Sequence, residues 1–110
     1  MENNCLYRFV DQLTIGNHVV IYLREYLILR ETRCGFWISY PNSKGEKFIL
    51  KKARKRFAWP AKEEALKSFI ARKRSQIRIL ESQLRSANSA LRKGITMLEL
   101  KSLEDIKHGW

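Results

Sequence analysis

The sequence predicts an α+β protein in which an antiparallel β-meander of three to four strands is followed by one long amphipathic C-terminal helix. Three observations predict it. Apolar residues alternate through the first half and recur every three to four positions through the second. Turn-forming residues punctuate the first half, and no proline follows Pro60. The chain has 110 residues, about one domain, and its 45% hydrophobic and 11% aromatic content suits a folded core rather than disorder. The span 1–110 therefore reads as a single domain. It divides into a sheet over 5–51, a basic connector over 52–60, a long helix over 61–93 and a short helical segment over 95–106.

Residues 5–11 place Tyr7 and Phe9 on one face and Leu6, Arg8 and Val10 on the other, the pattern of a half-buried strand. A loop around Ile15, Gly16 and Asn17 reverses the chain. Residues 18–32 are rich in β-branched and aromatic side chains and read as one long strand with a bulge near Arg24 and Glu25. Its faces are Val19, Ile21, Leu23, Leu27 and Leu29 against Val20, Tyr22, Arg24, Tyr26 and Ile28. Arg33, Cys34 and Gly35 form a hairpin turn into a strand over 36–40. A second turn over 41–45 leads to a strand over 47–51. Residues 53–59 read either as a short edge strand or as an irregular connector, ended by Pro60.

Pro60 suits a first helical position, and Glu63 and Glu64 complement the helix dipole in the first turn. From there Leu66, Ile70, Lys73, Ile77, Leu80, Leu84, Ala87, Leu91, Gly94 and Leu98 follow alternating steps of four and three, a heptad seam interrupted at Lys73 and Gly94. A helix ending near Lys93 is about 50 Å long, beyond the ~20 Å of a typical strand, so its distal half needs another surface. Either a homodimer through Ile77, Leu80, Leu84 and Leu91 or a fold-back of residues 95–106, with Gly94 as the break, supplies one.

Charge is unevenly spread. The chain carries 22 Lys plus Arg against 11 Asp plus Glu. Residues 1–43 hold four basic and four acidic side chains, residues 44–78 thirteen and three, and residues 79–110 five and four. The excess sits in one central segment, which would concentrate polyanions near it. The longest apolar run, 19–23, falls short of the about 20 residues that span a bilayer, and the first residues lack a signal peptide's pattern, so no membrane is expected. Cys5 and Cys34 form no CxxC pair and read as free thiols in a reducing cytoplasm.

Three groups of residues could meet an anionic partner. Lys51, Lys52, Arg54, Lys55 and Arg56 with Phe57 and Trp59 combine charge with rings able to stack on unpaired bases. The plainer reading is a solvated connector whose aromatics dock in the core. On the helix, Lys67, Arg74, Arg78 and Arg85 fall within about 40° of one another at 100° per residue. Glu63 with Lys67 and Glu81 with Arg85 are ordinary i,i+4 pairs. Arg72, Lys73 and Arg74 lack an acidic partner among the next six residues, which favours an external anion. On the sheet, Tyr22, Arg24 and Tyr26 share a face, Arg8 could lie opposite them on the neighbouring strand, and with Trp37 they form a third candidate surface, against the plainer reading that the tyrosines cover the core edge.

Catalytic and metal templates fail. GxSxG, HExxH, a Walker loop and CxxC are absent, and His18 and His108 are ninety positions apart. Cys34 would act as a nucleophile only with His18 folded beside it. Asp11, Glu25, Glu31 and Glu46 are too scattered to nominate a metal nuclease. No enzyme activity, metal or cofactor is expected.

The stretches YLREYLILRETRCGFWI and ARKRFAWPAKEEALKSFIARKRSQIRILESQLRSA resemble small uncharacterised proteins encoded by bacteriophages and prophages, over about residues 6–90. The resemblance implies a phage accessory protein in a bacterial cytoplasm and brings no catalytic residues with it. Two functions then compete. One is a module binding nucleic acid through the 51–78 surface. The other is an anti-defence inhibitor, anti-CRISPR-like in manner, that docks on a nucleic-acid-binding bacterial protein complex by occupying its nucleic-acid groove or an acidic patch.

Overall fold

The computed structural model describes residues 4–40, 45–101 and 108–109. The fold is α+β, with four antiparallel strands, β1 (Cys5–Leu13), β2 (Val19–Glu31), β3 (Gly35–Tyr40) and β4 (Gly45–Leu50), followed by helix α1 (Lys62–Leu100). The strands lie in sequence order, β1-β2-β3-β4, as a meander. Two compact units divide the chain, Met1–Lys73 and Arg74–Trp110.

In the first unit the turns follow from local chemistry. Gly16 and Asn17 take positive φ, and the Asn17 amide donates to the Thr14 carbonyl, closing the β1–β2 hairpin. At the β2–β3 turn the Thr32 hydroxyl accepts from the Cys34 and Gly35 amides. The 41–45 turn lies almost wholly outside the described residues, with Gly45 at φ 94° on its far side.

The bulge expected near Arg24 and Glu25 sits further along. The β1–β2 register runs unbroken through Arg8 opposite Arg24 and Tyr7 opposite Glu25, and the shift falls between Ile28 and Arg30, where β2 pairs with β3. The extra residue returns Arg30 to the side of Trp37, where it bonds Glu46 at 2.9 Å.

The core lies on one face of the sheet. Leu6, Tyr26, Ile38 and Ile49 are buried there with Ala58, and Ile28, Phe36, Tyr40 and Phe57 pack around them. Residues 51–61 cross this face as an irregular connector, not as a strand with a ladder. One antiparallel bridge joins Trp59 to Tyr7, with amide-to-carbonyl bonds of 2.6 and 2.8 Å. That bridge and a 2.6 Å bond from Arg72 to the Phe9 carbonyl occupy backbone groups on the outer side of β1, which would otherwise stand as an open edge.

α1 begins at Lys62, two residues after Pro60 rather than at it, and its first backbone bond runs from the Ala65 amide to the Ala61 carbonyl. Ala65 and Phe69 are its buried residues, and a Lys73–Asp11 ion pair at 2.8 Å ties this part of the helix to β1. Gly94 does not break the helix. Among the described residues nothing beyond its own stretch of helix would lie within 4 Å of a Cβ at Gly94, so its cost is only the roughly 1 kcal/mol of a glycine in an exposed helix, which the flanking turns absorb. The end comes instead at Lys101, with φ 54° and its amide donating to the Leu98 carbonyl. Residues 95–100 thus continue α1, and 102–106 of the expected terminal segment lie outside the described residues. In the second unit every residue from Gln76 to Leu100 is exposed.

Candidate functional site

The register sorts charge between the two faces of the sheet. Arg8, Arg24 and Lys47 fall on the face that carries the core and the connector, whereas Asp11, Glu25 and Glu46 fall on the other, together with Arg30, which pairs with Glu46 there. The acidic strand residue on the connector face is Glu31, and Lys51 takes it at 2.6 Å.

Arg8 is the hinge of this surface. Its guanidinium donates to the Phe57 carbonyl at 2.8 Å and lies 4.5 Å from the Phe57 ring. Burial pulls it below the ordinary arginine value, Tyr26 and Tyr40 oppose that, and the like charge of Arg24 adds to it. Arg24 stands directly opposite Arg8 in the register, a like-charged cross-strand pair. Arg72 is likewise pulled down, first by burial and then by Arg8, with Asp11 opposing. Within three consecutive residues, Tyr7, Arg8 and Phe9, β1 therefore anchors Trp59, faces Arg24 and receives Arg72.

The connector's residues separate into two kinds. Phe57 is core, edge-on to Tyr26 and Tyr40 at 5.2 and 5.5 Å. Trp59 is held by its bridge with Arg56 4.5 Å above its ring, and Arg56 also donates to the Ala53 carbonyl. The stacking platform expected of Phe57 and Trp59 is thus taken up by the fold. Among the described residues the Trp59 indole Nε1 is buried without a hydrogen-bond partner. Lys51 is held by Glu31 and lies 5.2 Å from the Phe36 ring. Lys52, Arg54 and Lys55 are exposed, and none of the four ion pairs among the described residues includes them.

Two expectations from the helix need correction. Lys73 is paired with Asp11, so its charge is compensated, and Arg72 is tied to the Phe9 carbonyl on the β1 edge while keeping its charge; their partners lie more than sixty positions away, beyond any i,i+4 search. Lys67 does pair with Glu63, at 3.5 Å, but Arg85 makes no ion pair with Glu81 among those observed. Arg74 and Arg78 belong to the second unit, where Arg78 bonds the Ser75 hydroxyl at 3.1 Å.

On the sheet, Tyr26 belongs to the core, stacked on Tyr40 at 6.2 Å, while Tyr22 and Arg24 remain exposed. Trp37 does not join them. It lies on the opposite face, packed on Phe48 at 5.0 Å under the Arg30 guanidinium. A residue missed by the sequence reading is Lys47, which approaches both the Tyr40 and Phe57 rings, at 5.3 and 4.8 Å. The alternation of Lys47 with Ile49 along GEKFIL carried that signal. Also missed was the hairpin tip, where Leu13, Ile15, Val19, Ile21 and Tyr22 are all exposed.

Among the described residues no three His, Cys, Asp or Glu side chains converge as metal ligands, and no helix is long and apolar enough to cross a membrane. Cys5 and Cys34 are free thiols. Compared with family models, curated proteins and solved structures, the chain matches none.

Proposed function

We propose that the protein binds nucleic acid in a bacterial cytoplasm as a small phage-type accessory protein, and that it does so by contact rather than by catalysis. One observation carries the reading: the face of the sheet that holds Arg8, Arg24 and Lys47 is crossed by a connector whose Lys52, Arg54 and Lys55 are exposed, and its acidic strand residue, Glu31, is already paired. Exposed cations along an irregular backbone suit phosphates, which need charge without a fixed pattern of base contacts. The partly buried Arg8 is held in place by Phe57 and offers a pre-oriented guanidinium beside them.

Fluorescence anisotropy against labelled single-stranded DNA, duplex DNA and RNA over a salt series tests this. Six phosphate contacts give a slope of log K against log salt near −5 on duplex and near −4 on single strands. A Lys52→Ala, Arg54→Ala, Lys55→Ala variant is expected to reduce that slope by about 2 to 3. Arg56 is left in place because it supports Trp59. Flat traces at low salt overturn the reading.

A second reading, an anti-defence inhibitor that docks on a nucleic-acid-binding protein complex, draws on the exposed apolar tip of the β1–β2 hairpin. It predicts that Ile15→Asp and Val19→Asp abolish function in infected cells, while the triple cation variant retains it.

A further inference from the structure

Among the described residues, the helix of the second unit carries an apolar seam that stays exposed. Ile77, Leu80, Leu84 and Leu91 are 52, 52, 60 and 61% exposed, although they recur in heptad register. An isolated helix of this length draws most of its stability from a packed face, so the bare seam calls for an occupant. The chain's own residues 95–100 cannot supply it, because they extend the same helix.

We infer that the occupant is a second copy of this helix, running antiparallel, with the two-fold axis passing between Arg85 and Ser86. The seam's own sizes select this arrangement. In heptad terms Ile77, Leu84 and Leu91 hold the a positions, and Leu80, Ala87 and Gly94 hold the d positions. A parallel pair would set Ala87 on Ala87 and Gly94 on Gly94, leaving two hollow layers. The antiparallel pair sets each a against a d. Ile77 meets Gly94 of the second copy, Leu84 meets Ala87 of the second copy, and Leu80 meets Leu91 of the second copy, so the two smallest residues each receive a large one.

Six layers close between positions 77 and 94 without drawing on any residue outside the second unit. At roughly 100 Å² for each half-exposed Leu or Ile side chain, the eight large side chains of two copies remove about 800 Å² from water. The stems of Gln83, Asn88 and Met97 beside the seam carry the total to the roughly 1,000 Å² that a specific interface needs. Arg78, Arg85 and Arg92, spaced by seven, fall on the helix face away from the seam and stay in water.

Disulfide trapping distinguishes the arrangements. In a Cys5→Ser, Cys34→Ser background, chains carrying Ile77→Cys and chains carrying Gly94→Cys are oxidised separately and as a mixture, with the parent chain sedimented alongside. The expected result is a mass near 26 kDa, twice the 13.1 kDa chain, and a disulfide that forms only in the mixture. Positions 77 and 94 lie about 26 Å apart along a helix, so a parallel pair would give the opposite pattern, with each variant cross-linking to itself. Self-linked products overturn the antiparallel register. A 13 kDa species without cross-links in any tube overturns the pairing altogether. Neither outcome bears on nucleic-acid binding by the first unit.

Discussion

At the scale of single residues, the side chains that hold the first unit together are partly the ones a charge-based reading assigns to a partner. Asp11 shows this best. A hydrogen bond from Lys73 holds its carboxyl below the ordinary 3.8; desolvation opposes it, and the positive charges of Lys73 and Arg72 act with the hydrogen bond. A carboxyl depressed on folding stabilises the folded state above its unfolded value, and that contribution is lost as the pH falls through the folded value. Asp11→Asn is therefore expected to melt below the parent at pH 7, with the gap narrowing once the pH drops under 3.8 and closing once it falls below the lower folded value. A gap that persists unchanged at pH 2 would mean the pair is not what Asp11 contributes. Arg8 makes a different case, since it holds Phe57 in the fold and, on the proposed reading, also meets the nucleic acid. Arg8→Leu keeps an apolar stem on Phe57 and loses the bond to its carbonyl, a cost of about 1 kcal/mol after discounting for solvent screening at a half-buried site. The same variant should lower the salt slope of nucleic-acid binding by about 1. A urea titration reads the first effect and anisotropy the second. Alternation in sequence allowed Arg8 and Arg24 to lie opposite one another, and they do; it could not show that Tyr26 is sealed into the core, because that depends on the connector closing over the same face.

Among the elements, the strands were legible because each carries its own period and its own turn residues. β2 and β3 fall within a residue of their expected bounds, β1 runs two residues past its expected end to Leu13, and β4 starts two residues early at Gly45 and ends one early at Leu50. The connector was not legible in the same way. Its sequence fits either an edge strand or a loop, and the choice is made by β1, whose outer backbone groups offer Trp59 a single bridge and Arg72 an acceptor. Gly94 misled for a related reason: glycine marks helix ends when the chain has a turn to make, and here none is made. The β3–β4 pairing rests on a glycine with a clearer role. A Cβ at Gly35 would lie 2.2 Å from the Ile49 carbonyl oxygen and 2.7 Å from the Phe48 ring. Backbone on the neighbouring strand cannot move aside without opening the ladder. Gly35→Ala is thus expected to destabilise the sheet by at least about 2 kcal/mol, read as a shift in denaturant midpoint. An unchanged midpoint would show that β4 is displaced at little cost.

For the molecule as a whole, the two proposals make a joint prediction that neither makes alone. A nucleic-acid surface on the first unit and a two-fold pairing of the second would give each particle two binding surfaces, so that a long duplex could engage both while a short oligonucleotide engages one. The second engagement is then intramolecular, and its effect on affinity depends on effective concentration rather than on any new contact. Leu84→Glu puts a carboxylate at the central layers of the seam and should leave a monomer. On an oligonucleotide of about ten nucleotides its affinity should match the parent within about twofold, because the first unit is untouched. On a duplex long enough to span both copies it should bind at least about tenfold more weakly, since multivalent gains commonly exceed that. Equal losses on both ligands would instead place residues of the second unit, such as Arg74 and Arg85, in direct contact with the nucleic acid. Equal retention on both would mean that pairing, if present, leaves only one surface accessible to any one strand.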